Sequence, residues 1–296
     1  MKPALLLILA LLAGCATPSA RLPPFADVHL HWNWDHAETL SAAEAAKRLR
    51  ERNVVFGVVS SVPSAFARHL VAAADGRVVA LWSPYYRTGN RHDWFFDPGV
   101  VTAARAALVS GHYAGLGEMH LTAGLGPRRD NPVVRGLLDL AREFAVPVLI
   151  HTDASSHRYF LPLCREYADV RFLWAHAGGI LGPDELEPLL AACPNVWLEL
   201  AARDPWHYGG FAAEDGTLTP DWRAFLIRHA DRILTGTDPV WNAHQVYKWD
   251  EADQGWQHYD QLLRYHHRWL ANLPPEVAER IRLTNALRFF NHPTQN

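Results

Sequence analysis

The sequence predicts an α/β fold, a (β/α)8 barrel in a single domain, and three observations carry that reading. From residue 25 on, eight short apolar runs alternate with amphipathic stretches. The runs are rich in Val, Ile, Leu and aromatics, as strands of a buried parallel sheet are. The body of about 270 residues suits a barrel, which typically takes about 250. An open doubly wound sheet is the alternative with the same alternation. No internal repeat, low-complexity run or internal linker breaks the chain.

The first segment reads as an address. Residues 1–14, MKPALLLILALLAG, place Lys2 before a short apolar run. The run is too short for a spanning helix of roughly 20 apolar residues and has the shape of a secretory signal. Leu12-Ala13-Gly14-Cys15 resembles the lipobox of bacterial lipoproteins. That resemblance implies cleavage before Cys15, a lipid on Cys15, and a barrel facing the periplasm. Ala16 after the cysteine implies sorting to the outer membrane. An ordinary signal peptide that happens to hold a Cys is the alternative. Residues 15–24 are small, polar and Pro-rich, as a tether is.

The elements then follow in order. Predicted strands cover 25–31, 54–62, 78–84, 113–119, 147–152, 171–176, 196–201 and 232–237. The stretch 41–53 opens with Ser41 and has Glu44 three residues on, a capping box. The stretch 131–145 has Asn131 at the cap and Pro132 at the first helical position. Thr219 and Pro220 repeat that arrangement in 219–231. After the eighth strand, helices are expected over 259–273 and 275–290. Cys164 and Cys193 fall on predicted helices of two consecutive units. An oxidising periplasm permits a disulfide between them, but two buried thiols are the preferred expectation, since free Cys is usually buried.

Of the 296 residues, 49% are hydrophobic and 20% charged, which argues against disorder. A net charge of -3 and the lack of a basic stripe exclude a general nucleic-acid-binding surface. There are 17 His, a reason to look for a metal site. The histidines and carboxylates fall at strand ends. Asp27, His29 and His31 alternate along strand one and should share a face. Glu118 sits in strand four, His151 closes strand five, His176 closes strand six, and Asp238 follows strand eight. All lie at the C-terminal ends of strands, where barrel enzymes place their chemistry. Burying so many imidazoles and carboxylates together is expensive unless they are paired or bind metal.

These motifs resemble the amidohydrolase superfamily, in particular its TIM-barrel branch that includes aminocarboxymuconate-semialdehyde decarboxylase. Asp27-Val28-His29-Leu30-His31 is similar to the family's Asp-x-His-x-His. Pro147 to His151, Ala175 to Gly179 and Leu234 to Pro239 are similar to its motifs on strands five, six and eight. Asn285-Ala286-Leu287-Arg288-Phe289-Phe290 is similar to its closing helix. The resemblance spans residues 25 to about 290. It implies that His29, His31 and Asp238 ligate a divalent metal, with Zn preferred and Mn or Fe also suited to mixed His and carboxylate ligands. Glu118 resembles the bridging Glu of TatD-like members, which implies two ions, the second held by His151 and His176. With one ion, Glu118 orients a ligand instead and His176 is free for catalysis. His120 lies on the same side of the strand as Glu118, so it too can reach the site.

The implied mechanism is hydrolysis of an amide, ester, lactone or phosphoester of a small molecule. A metal-bound water ionises near pH 7 rather than about 15.7, with Asp238 as acid–base and His176 as a second catalytic group. Trp34, Tyr86, Arg87, Arg203 and Trp206 are candidate substrate contacts on the rim, with Lys248, Trp241, Tyr247, Trp249 and Trp256 nearby. Packing of the loops on the barrel is the competing reading of these aromatics. His266-His267 is expected to serve surface or packing roles. The rival functions are a decarboxylase of the same superfamily and a non-catalytic metal-binding lipoprotein.

Overall fold

A computed structural model of the protein describes residues 22–87, 89–121, 126–152, 156–240 and 252–292. The predicted signal, Cys15, Trp241, Tyr247, Lys248 and Trp249 lie outside the described residues. Eight parallel strands follow one another in a sheet ordered as they occur in the chain. They are β1 (Phe25–His31), β2 (Val54–Ser60), β3 (Val78–Trp82), β4 (Gly115–His120), β5 (Val148–His151), β6 (Phe172–Trp174), β7 (Val196–Glu199) and β8 (Ile233–Leu234). Two backbone bonds close the ring. Val28 N donates to Thr235 O at 3.0 Å, and Asp238 N donates to His29 O at 2.8 Å. The fold is the expected (β/α)8 TIM barrel.

The local signals act where the sequence puts them. Ser41 and Glu44 cap each other's backbone at the start of Ala42–Glu51. Asn131 accepts from Val133 N ahead of Pro132–Glu143, and Thr219 accepts from Trp222 N ahead of Pro220–Arg228. Each cap satisfies N–H groups that have no partner within the helix. The strands β6 and β8 are shorter than the apolar runs that predict them. Beyond those ends His176 and Asp238 adopt left-handed backbone, with φ of 56° and 50°.

Two apolar layers result. The barrel interior is filled by Ala26, Val28, Phe56, Val58, Leu81, Leu149, Leu173 and Leu234, with Ala286 and Phe289 of the closing helix packed against them. The larger layer lies between strands and outer helices. Asn285 fixes the closing helix by donating to Ala230 O and Ile233 O at 2.6 and 2.7 Å. The helices expected over 259–273 and 275–290 are Tyr259–Leu270 and, joined through a π turn, Pro275–Glu279 and Asn285–Phe289. His266 is buried against Phe25 and accepts from Trp269 Nε1, a packing role.

The expectation of two free thiols is corrected. Cys164 and Cys193 form a disulfide with Cα atoms 6.1 Å apart, within the range such a bond spans. Cys164 lies in His157–Glu166 and Cys193 caps Pro183–Ala192. These helices follow consecutive strands and pack side by side.

Candidate metal centre

At the C-terminal mouth of the barrel, side chains from five strands converge. His29 and His31 come from β1, Glu118 from β4, His151 from β5, His176 from the turn after β6, and Asp238 from the segment after β8. His29 Nε2 and His31 Nε2 are 3.1 Å apart. Glu118 stands between the histidine pairs. Its Oε2 is 3.5 Å from His29 Nε2 and 3.3 Å from His31 Nε2, while its Oε1 is 2.6 Å from His151 Nδ1 and 3.7 Å from His176 Nε2. Asp238 Oδ1 is 3.3 Å from His31 Nε2, and its Oδ2 is 3.8 Å from His176 Nε2. Three overlapping sets of donor atoms have metal-ligand spacing: His29 with His176 and Asp238, His29 with His31 and Glu118, and Glu118 with His120 and His151.

Backbone geometry puts these groups there. Gly117 has φ of 122°, and a Cβ on it would meet Leu149 O at 2.4 Å. Only glycine lets β4 pass β5 so closely and turn Glu118 into the mouth. Gly236 is similarly pressed on β1, since its Cβ would lie 2.7 Å from the Cβ of His29. Asp27 does not join the cluster. Its carboxylate accepts from Thr237 N and Oγ1 and from the Tyr259 hydroxyl. The β1–β2 register shifts between Asp27 and Leu30, and such a bulge re-aims the side chains beyond it. Burial raises the Asp27 carboxyl to about 6 despite these bonds.

The partners behind the rings fix their tautomers. His29 Nδ1 lies 2.9 Å from Glu199 Oε1, and His176 Nδ1 lies 2.9 Å from Ala201 O. Both partners accept, so both Nδ1 atoms carry the proton and both Nε2 lone pairs face the cluster. Glu199 also accepts from His176 N at 2.7 Å and Ala201 N at 2.6 Å. Trp256 Nε1 donates to His31 O at 2.9 Å, steadying the end of β1.

With no cation beside them, the carboxylates draw protons onto the rings. Burial opposes a charged His29, yet Asp238, Glu118 and Glu199 outweigh it and raise the ring well above its usual range. Burial also opposes ionised Asp238, but His29, His31 and His176 hold it below the usual carboxylate range. Glu118 is held well below that range by His120, His29 and His151 against the same burial. The site is thus a sink of negative potential. The buried Asp238 Oδ1 accepts no hydrogen bond among the described residues. An ionised oxygen left so, facing converging lone pairs, fits a divalent cation with mixed His and carboxylate ligands.

A cavity of about 470 Å³ opens over these groups. Beside the cluster it is lined by Ser60, Ser83, Tyr85, Arg91, His207 and Tyr208. None of the rim candidates among the described residues lines it. Trp34 is 52% exposed. Tyr86 and Arg87 both donate to Asp97. Arg203 is buried with its guanidinium over the Trp222 ring, and Trp206 packs edge-on against Tyr265. Sequence reasoning missed Glu199 and Arg91, while Tyr85, beside Tyr86 in the loop after strand three, does line the cavity. A signal existed for Glu199, a lone carboxylate in the apolar run 196–201. A larger hollow of about 670 Å³ lies on the outer face, where Arg128 is paired with Asp130 and Arg135 with Glu166.

Solved structures share this architecture. 4-Oxalomesaconate hydratase from Rhodopseudomonas palustris is 12% identical, with 90% of this chain and 96% of that one covered and a TM-score of 0.56. A probable 2-pyrone-4,6-dicarboxylic acid hydrolase from Acinetobacter baumannii is 14% identical, covering 91% and 100%, with a TM-score of 0.54. 2,6-Dihydroxybenzoate decarboxylase is 12% identical, covering 91% and 100%, with a TM-score of 0.56. At such identities the likeness is one of fold. No curated protein matches the chain in sequence. The amidohydrolase family model matches residues 26–291, nearly the whole barrel with its strand-end histidines, and the chain belongs to that family.

Proposed function

We propose that the protein is a metal-dependent hydrolase of a small molecule, cleaving an amide, ester, lactone or phosphoester bond. The observation that carries this reading is the position of Glu118, with one oxygen toward His29 and His31 and the other toward His151 and His176. A carboxylate so placed suits a pair of ions, with His29, His31 and Asp238 holding one and His151 and His176 the other. Bound divalent ions supply a water that ionises near neutral pH and polarise the oxygen of the bond under attack. Asp238, held ionised at the mouth, accepts the water's proton and returns it to the leaving group. Glu199 and Ala201 O keep His29 and His176 in the tautomers that point lone pairs inward.

Decarboxylation is the second reading. His29 belongs to two of the three donor sets, and one ion held by His29, His31 and Asp238 would leave His176 free to orient substrate. The disulfide supports an oxidising compartment. The lipobox-like sequence 12–15 is the basis for proposing a lipid anchor on Cys15, and Ala16 after it the basis for proposing the outer membrane.

The test is a panel of esters, lactones, phosphoesters and amides, with released CO2 followed in parallel for aromatic acids. Asp238→Asn is expected to lower hydrolytic turnover by about 10² to 10⁴. CO2 release without hydrolysis would replace this reading with the second one.

A further inference from the structure

Where β1, β2 and β3 end, the cavity has a polar side without charge. Asn33, Ser60, Ser61 and Ser83 line it there. Two of the hydroxyls are engaged. Ser60 Oγ is hydrogen-bonded to His31 Nδ1 at 3.3 Å, and Ser83 Oγ donates to Ser61 O at 2.7 Å. Ser61 itself is buried, and its Oγ has no hydrogen-bond partner among the described residues. A buried hydroxyl left so is costly until water or a ligand fills it.

Asn33 is pinned through both its backbone and its side chain. Its N–H donates to Nδ1 of the buried His36 at 3.0 Å, and its Oδ1 accepts from Val62 N at 2.8 Å. Trp34 N donates back to Val62 O at 3.0 Å, so the segments after β1 and β2 are tied together here. The N–H of Val62 belongs to the peptide bond that Ser61 begins, which sets Asn33 beside Ser61. A backbone N–H can only donate, so the oxygen of the Asn33 side chain, and not its nitrogen, faces Val62. Nδ2 is then the end of the carboxamide left for the cavity, with two N–H donors and no hydrogen bond among the described residues. A donor fixed in this way loses little side-chain freedom when a ligand binds.

We propose that Asn33 is a specificity-determining residue, and that it selects a substrate carrying an uncharged carboxamide apart from the bond that is cleaved. The carboxamide oxygen accepts from Asn33 Nδ2, and its N–H donates to Ser61 Oγ. A neutral donor beside an unfilled hydroxyl matches a group with one acceptor and one donor side by side. This deepens the hydrolase reading and rests on it for which bond reacts. The carboxamide is held where β1 and β2 end, while the bond to be cleaved faces Glu118 and Asp238.

The test titrates the zinc-loaded full chain by calorimetry with benzamide, and with toluene as a probe of similar shape that has no acceptor. Asn33→Asp keeps an oxygen for Val62 N and replaces only the donor end, so a purely structural role would survive it. Benzamide affinity is expected to fall about threefold to tenfold in Asn33→Asp, the worth of one neutral hydrogen bond. Toluene affinity, zinc content and the thermal midpoint should stay those of the parent. Ser61→Ala should also weaken benzamide and leave toluene unchanged. Equal benzamide affinity in the parent and Asn33→Asp would overturn the contact and assign the carbonyl to the metal. An equal fall for both probes would overturn it as a deformed cavity. A loss confined to benzamide, in a chain that hydrolyses no ester, lactone, phosphoester or amide, supports the contact and removes the hydrolase reading.

Discussion

His29 Nδ1 and Glu199 Oε1 lie 2.9 Å apart, both fully buried, at the ends of β1 and β7. The same carboxylate holds the backbone of His176 and Ala201. One residue outside the donor set thus orients a ring from β1 and the turn that carries another. Partners of this kind typically account for 10- to 100-fold in metal affinity. Glu199→Gln is expected to weaken zinc binding by about that factor, read by competition with a chelator, while the circular dichroism spectrum stays that of the parent.

Gly117 is expected to tolerate no side chain. An added methyl would lie 2.4 Å from Leu149 O and 2.8 Å from Leu149 Cβ, at a φ of 122°. Strain of this kind costs about 1–3 kcal/mol before the clash is counted. Gly117→Ala should lower the thermal midpoint and reduce bound metal together, because the shift of β4 moves Glu118.

The disulfide between Cys164 and Cys193 is expected to contribute about 2–4 kcal/mol. Urea titrations of the double serine variant, or of the parent in reductant, should show that loss. Equal midpoints with and without reductant would contradict it.

Stability should also fall in mild acid through His266. Burial pushes its pKa down to about 4, outweighing the pull of Asp204. Its Nδ1 accepts from Trp269 Nε1 at 3.1 Å, a bond that protonation there destroys. The unfolded chain, with a His pKa of about 6.5, binds this proton more tightly. The contribution is therefore complete above about pH 6.5 and is lost as pH falls toward 4. The loss is about 1.4 kcal/mol per pH unit for a full proton. Urea midpoints measured from pH 7 to 4 should fall, and His266→Phe should flatten part of that slope.

Much of this was legible in the sequence because barrel strands are read from short apolar runs and their ends from the polar residue that follows. His151, His176 and Asp238 stand out by interrupting such runs, and the caps at Ser41, Asn131 and Thr219 depend only on neighbours in the chain. Glu199 was hidden inside its run, where one charge looks like a strand end until His29 is seen behind it. Arg91 lies in an irregular loop with no period to read, and its place at the cavity shows only in the fold. The disulfide depended on two helices meeting, which spacing alone does not fix. Asp27 shared the alternation of His29 and His31, but the register shift in β1 separated them.

The most direct measurement is the metal content per chain of a soluble form beginning after Cys15, by elemental analysis, beside Glu118→Gln. The position of Glu118 between the two histidine pairs leads to about two ions in the parent and one or fewer in the variant. About one ion in both would contradict the bridged site and favour decarboxylation. No ion in either, after reloading with zinc or manganese, would contradict the metal-dependent enzyme altogether.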